Sequence, residues 1–218
     1  PGPDFGAANF CTMATRRGKI KRVALSEFAA VRPSGLIAIS LKKGDTLGWV
    51  RLTSGKDEII LVTESGKALR YKEKLVRSMG RPAAGVRAIW LGKGDAVTSM
   101  DVADPKADLL VVTRNGYGKR TPIKEYPAKG RGTKGVLTLS KAKFKVTGPV
   151  AAARVVDQQD DLTVISSTGI VLRTKVKQIK QAGRATMGVR VMNLKKGDNV
   201  ASVARIAAKD LEAAGVKD

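Results

Sequence analysis

One unit recurs four times along these 218 residues, and copies of a single unit can bury their apolar faces only against one another. A turn element, Thr15-Arg16-Arg17-Gly18, returns as Thr63-Glu64-Ser65-Gly66, Thr113-Arg114-Asn115-Gly116 and Ser166-Ser167-Thr168-Gly169, with its glycines 48, 50 and 53 residues apart. A second element starts as Arg32-Pro33-Ser34-Gly35. It returns as Gly80-Arg81-Pro82-Ala83-Ala84-Gly85, Gly130-Arg131-Gly132-Thr133-Lys134-Gly135 and Gly183-Arg184-Ala185-Thr186-Met187-Gly188, the closing glycines 50, 50 and 53 apart. A Gly-Asp pair ends three units, at Gly44-Asp45, Gly94-Asp95 and Gly197-Asp198, while the third unit carries Lys141-Ala142-Lys143-Phe144-Lys145 in that place.

Within each unit the pattern is that of strands. Ile59-Ile60-Leu61-Val62, Leu109-Leu110-Val111-Val112 and Leu162-Thr163-Val164-Ile165 are short β-branched runs that end at a turn glycine, the signal of a hairpin. A further strand is expected after each second element, as in the alternating Val86-Arg87-Ala88-Ile89-Trp90-Leu91. Periods near 50 residues with several strands each indicate an all-β, propeller-like array of blades. The expected boundaries are 1–7 for a linker or cloning remnant and 8–206 for the array, with repeats of about 8–55, 56–106, 107–157 and 158–206. Residues 207–218 read as a tail that forms a short helix or frays. The start at Pro1-Gly2-Pro3 without Met reads as a piece of a longer protein.

The charge is as regular as the strands. The formal net charge is +22, split as +8 over residues 1–109 and +14 over residues 110–218, so it belongs to the folded body. A body basic throughout calls for a polyanionic partner, and nucleic acid is the default. The fourth residue after each turn glycine is arginine: Arg22, Arg70, Arg120 and Arg173. The second element carries Arg32, Arg81, Arg131 and Arg184. Equivalent positions of a repeat lie on equivalent faces, so these eight are expected to form a belt on the rim. Lys21, Lys119, Lys134, Arg87 and Arg190 would thicken it. Arginine presents a planar fork suited to phosphate oxygens.

The residues that are scarce narrow the partner further. The chain has no His and one Cys (Cys11), which removes the usual general base, the commonest metal ligand and any internal disulfide, and suits a reducing cytosol. No metal, cofactor, small-molecule substrate or membrane is expected, because neither a ligand cluster nor a spanning apolar run is present. Aromatic residues make up 4%, too few for the stacking platforms of single-strand binders, so duplex DNA is favoured. Gly130–Gly135 matches the G-x-G-x-x-G spacing, but strand-like Val136-Leu137-Thr138-Leu139 follows where a dinucleotide site needs a helix. The Gly-Asp pairs read as turn chemistry, and Tyr71, Tyr117 and Tyr126 as packing residues. A blade array that docks acidic proteins or structured RNA is the competing reading.

Several stretches resemble the C-terminal domain of the bacterial DNA gyrase A subunit: Thr53-Ser54-Gly55-Lys56-Asp57-Glu58, Val76-Arg77-Ser78-Met79-Gly80, Thr113-Arg114-Asn115-Gly116-Tyr117-Gly118-Lys119-Arg120-Thr121 and Lys134-Gly135-Val136. The resemblance covers roughly residues 8–206. It implies a β-pinwheel of four-stranded blades whose hairpins connect neighbours, with a basic perimeter that bends duplex DNA and biases the enzyme towards negative supercoiling. It implies as partners the gyrase B subunit together with the rest of the A subunit, in the bacterial cytoplasm at the nucleoid. The catalytic tyrosine of such enzymes lies in another domain and maps onto no tyrosine here. Complete domains of the family usually have six blades against four repeats here, so the chain reads as part of a six-bladed domain. The family's Gln-Arg-Arg-Gly-Gly-x-Gly box is absent. The related topoisomerase IV A-subunit domain, which steers DNA substrate choice, lacks the box too, so that assignment stays open.

Overall fold

A computed structural model describes residues 8–29 and 33–213. The first unit supplies strands β1 (Phe10–Thr15), β2 (Lys19–Ala24) and β3 (Leu47–Thr53). The second supplies β4 (Glu58–Thr63), β5 (Lys67–Lys72), β6 (Val86–Arg87) and β7 (Val97–Val102). The third supplies β8 (Asp108–Thr113), β9 (Tyr117–Pro122), β10 (Val136–Leu137), a single helical turn α1 (Phe144–Thr147) and β11 (Val150–Val156). The fourth supplies β12 (Asp161–Ser166), β13 (Val171–Lys175), β14 (Val189–Arg190) and β15 (Val200–Ile206), followed by the short helix α2 (Ala208–Ala213).

The units do not each close their own sheet. The sheets run β3-β1-β2-β6, β7-β4-β5-β10 and β11-β8-β9-β14, all antiparallel, so the fourth strand of each comes from the following unit. The fourth sheet, β13-β12-β15, has three strands among the described residues, where the blade pattern predicts four. The strand expected over 86–91 is only two residues long. Beyond Arg87 the backbone turns to other partners, with Ala88 N–H donating to Gly18 O at 2.7 Å and Trp90 N–H to Thr133 O at 2.9 Å.

Turn chemistry sets each hairpin. The turn glycines have positive φ, and each turn Thr or Ser hydroxyl accepts the N–H four residues on, as Thr15 Oγ1 does from Lys19 at 3.1 Å and Thr113 Oγ1 from Tyr117 at 3.2 Å. The Gly-Asp carboxylates pin these turns. Asp95 accepts the Ser65 and Ala96 N–H groups, each at 2.9 Å, and the Ser65 hydroxyl at 2.6 Å. Asp198 takes the hydroxyls of Ser167 and Thr168, and these bonds, the Ser167 one foremost, hold its carboxyl well below the usual carboxylate range. In the third unit α1 does this work, its Val146 carbonyl accepting from Asn115 Nδ2 at 2.8 Å.

The core lies between blades. Ile59, Leu61, Leu69 and Tyr71 face Ala14 and Ile20 of the first unit, while Ile60, Val62 and Ala68 face Leu109, Val111 and Ile123 of the third. Leu110 and Val112 in turn meet Leu162 and Val164 of the fourth. Strands β4 and β8 are therefore covered on both faces, which is why they read as unbroken apolar runs. Burying each such side chain contributes about 1.5–3 kcal/mol. Strands β3, β7, β11 and β15 pack successively along the inner edge. Backbone bonds join neighbouring units there: Val97 N–H to Arg16 O, Val150 N–H to Glu64 O and Val200 N–H to Arg114 O, at 2.8–2.9 Å. No helix of the described residues is long and apolar enough to cross a membrane.

Candidate nucleic-acid interface

The outer edge is built where one unit reaches back over the blade before it. Residues Val76–Met79 run alongside β2, with a parallel bridge between Ser78 and Arg22, and β6 then completes that sheet. The same crossing recurs at Ala128 beside Arg70 and at Gln181 beside Arg120. Each crossing is tight enough to demand glycine. A Cβ on Gly85, Gly135 or Gly188, all at positive φ, would collide with the carbonyl of Ile20, Ala68 or Gly118 respectively.

The first set of arginines lies at equivalent places in the four blades, but three of the four do not face open solvent. Arg70 pairs with Glu58 at 3.2 Å, Arg120 with Asp108 at 2.7 Å and Arg173 with Asp161 at 2.6 Å. Each acid stands five residues before the turn Thr or Ser. In the first unit Phe10 holds that position. There Arg22 lies 4.2 Å from the Phe10 ring centroid and 3.5 Å from the buried Glu73 carboxylate. The side chains of Arg22, Arg70 and Arg120 are 11, 14 and 11% exposed, against 50% for Arg173. The segment that follows each blade covers them: Arg70 Nη1 donates to Ile123 O at 3.1 Å and Arg120 Nε to Ile179 O at 2.8 Å. Arg22, Arg70 and Arg120 therefore add no open charge to the expected belt, because their charge is taken up within and between blades, and of this first set Arg173 alone stays half exposed. The repeated acids Glu58, Asp108 and Asp161 are the sequence signal for this.

Lys21 and Lys119, expected on the rim, are instead buried, at 0 and 1% exposure. Lys119 Nζ donates to Gly183 O at 2.6 Å, to Arg184 O and to Thr186 Oγ1 at 3.1 Å, so it clasps the whole second element of the next unit. Lys21 instead bridges the two units, donating to Arg81 O of the next one and to Ala38 O of its own at 2.7 Å. Burial lowers the pKa of both; for Lys119 it falls to about 8, against a smaller raising by Glu125 and a further lowering by Arg184. The equivalent residue in the second blade is Leu69, which donates nothing. There Arg131 ties the loop, through Nε to Leu75 O at 3.2 Å and Nη1 to Arg87 O.

The remaining members of the second set divide. Arg81 is partly buried and its Nε lacks a hydrogen-bond partner, Arg184 lines a shallow recess with Glu125, Val136 and Leu137, and Arg32 lies outside the described residues. Arg87, Lys134 and Arg190 are exposed as expected, and two of them rest on aromatic rings. Lys134 Nζ is 4.6 Å from the Trp90 centroid, and Arg190 lies 4.8 Å from that of Tyr117 while donating to its hydroxyl at 2.8 Å. These rings hold the cations at the surface rather than presenting stacking platforms.

A second group of cations on the same edge lies outside the set expected from sequence. The 3-10 turn that leads into each crossing carries Lys74, Lys124 or Lys177, all exposed and spaced 50 and 53 residues apart like the other anchors. Arg77, Lys129 and Lys180 follow, also exposed. Each described crossing thus presents three exposed cations: Lys74, Arg77 and Arg87; Lys124, Lys129 and Lys134; Lys177, Lys180 and Arg190. Glu125 is the one exposed acid among these three stretches (residues 73–87, 123–137 and 176–190). The shared phase of Lys74, Lys124 and Lys177 is the signal that could have found them.

The sequence matches the family described as DNA gyrase C-terminal domain, beta-propeller, over residues 11–54, 57–104, 107–157 and 160–207. It is 51% identical over 212 residues to the DNA gyrase A subunit of Halalkalibacterium halodurans, covering 97% of this chain and 25% of that protein. Among solved structures, the fold matches the C-terminal domain of a DNA topoisomerase IV with a TM-score of 0.89 at 28% identity, covering 98% of this chain and 68% of that one. It matches a DNA gyrase A C-terminal domain with a TM-score of 0.83 at 26% identity, covering 93% and 67%. The chain spans about a quarter of the length of the curated relatives it matches.

Proposed function

Because the chain belongs to the DNA gyrase C-terminal domain, beta-propeller family, we propose that its outer edge binds duplex DNA and bends it around successive blades. The observation that carries this reading is the triplet of exposed cations on every described crossing, set side by side along the edge. Lysine and arginine there meet phosphates without reading bases, so affinity is largely indifferent to sequence. Smooth bending of 20–30 bp costs about 1–6 kcal/mol, and a row of charge-assisted contacts offsets it. About nine contacts give a salt slope of about −8.

The chain is a non-catalytic part of a type II topoisomerase. It works with the gyrase B subunit together with the rest of a gyrase A subunit, at the DNA of the bacterial cytoplasm, and supports negative supercoiling. The test is the linking number of a relaxed plasmid religated with the chain bound, read beside a salt titration of linear-duplex affinity. A steep slope with a shifted linking number is expected. A steep slope with unchanged topology would favour substrate steering, the role implied for the topoisomerase IV domain. No duplex binding at low salt would overturn the reading.

A further inference from the structure

The inner edge carries a second concentration of charge that the outer track does not use. Strands β3, β7, β11 and β15 bound a cavity of about 960 Å³, whose charged lining is Arg51, Asp101, Asp104, Arg154 and Arg205 together with Lys209 of α2. Four cations thus face two acids, and Asp101 is already engaged. Its Oδ1 accepts from Arg51 Nε at 2.8 Å, and its Oδ2 from the Val155 N–H at 3.1 Å. Arg205 is only partly engaged: its Nε lies 3.5 Å from the Asp160 carboxylate and its Nη1 donates to the Val155 carbonyl at 2.8 Å, which leaves Nη2 for a ligand.

Arg154 is left without a counter-ion. Its one hydrogen bond runs to the carbonyl of Ala153 at 3.3 Å, and no carboxylate is in ion-pair reach among the described residues. It is partly buried, which lowers its pKa. Asp101 opposes that effect, and the Arg51 and Arg205 guanidinium groups add to it. A partly desolvated cation among like charges, in a concave site with both neighbouring acids committed or exposed, is in the setting that a bound anion relieves. Planar guanidinium forks select oxyanions with several oxygens. The cavity lies between the innermost strands, while the duplex track runs along the outermost ones at the other end of each sheet.

We propose that this inner cavity is a binding site for one compact multivalent phosphate anion, held by Arg154, Arg205 and Lys209. The probe is inorganic tripolyphosphate, titrated calorimetrically into the chain at moderate salt. One saturable site is expected, weakened at least 10-fold in Arg154→Gln and several-fold in Lys209→Gln, an exposed helix position whose replacement spares the fold. The side-chain Nε–H resonances of Arg154 and Arg205 should shift during the titration. Binding should survive both saturating duplex DNA and neutralisation of Lys124, Lys129 and Lys134. Several weak sites, displacement by duplex, or losses that follow the outer lysines instead of Arg154 and Lys209 would overturn the proposal, as would an absence of binding.

Discussion

The third and fourth blades carry the same ion pair in two settings. Arg120 and Asp108 lie beneath the crossing segment of the following unit, which adds Ile179 O to the guanidinium and Gln181 Nε2 to the carboxylate. Arg173 and Asp161 make an equally short pair with no such cover among the described residues, and Arg173 stays half exposed. The pair is thus a joint that the next unit seals, and the charge offered to a partner sits on the sealing segment instead. A cation that recurs because the fold needs it looks the same in sequence as one that recurs because DNA needs it.

The joint can be broken at its strongest point. Arg120→Ala leaves Asp108 buried without its partner and should cost about 3–5 kcal/mol in urea unfolding. Arg173→Ala should cost less, because Arg173 is half exposed and Lys175, 3.5 Å from the buried Asp161 carboxylate, still faces it. Equal losses would mean that the cover contributes nothing.

Steric fit at the crossing gives the next effect. Gly135→Ala adds a collision with Ala68 O to the cost of about 1–2 kcal/mol for a left-handed residue, whereas Gly94→Ala, with open space around it, should show only the latter. Thermal or urea midpoints of the two variants separate these contributions.

A pH-dependent effect belongs to Lys119. Its folded pKa of about 8 lies below the ordinary 10.5, so between those values the unfolded chain binds the extra proton. Stability of the wild type relative to Lys119→Met should therefore rise with pH from about 8 to 10.5 and be flat below 8. A flat difference over that window would place the lysine in a solvated site, and a falling one beside a carboxylate that raises its pKa. The smallest structural effect is expected for Lys177→Gln on the sealing segment, which should change stability by less than about 0.5 kcal/mol. The same change should reduce the salt slope of duplex binding by about 0.9.

Much of this architecture is legible in the sequence. The phase of the turn glycines and closing glycines marks the four units, and the apolar runs of β4 and β8 mark strands covered on both faces. The exchange of the fourth strand is not legible, because β6, β10 and β14 are two residues long and carry no periodicity. Lysines are rarely buried, so nothing in the sequence separates Lys21 and Lys119, which face backbone carbonyls, from Lys134, which lies on an exposed ring. The arginine recurrence marks a place in the fold, as expected. Its use differs from the expected one because the acids at Glu58, Asp108 and Asp161 keep the same phase and take up the charge.

The most direct measurement compares two sets of lysines that differ in location. Lys124, Lys129 and Lys134 lie on one sealing segment, and Lys195 and Lys196 lie beside a Gly-Asp turn at the far end of the hairpins. Linear-duplex affinity across a salt series should lose about 2–3 units of slope when the first three become glutamine, and change little when the second two do. The opposite outcome, with the turn lysines carrying the salt dependence, would contradict an outer-edge track.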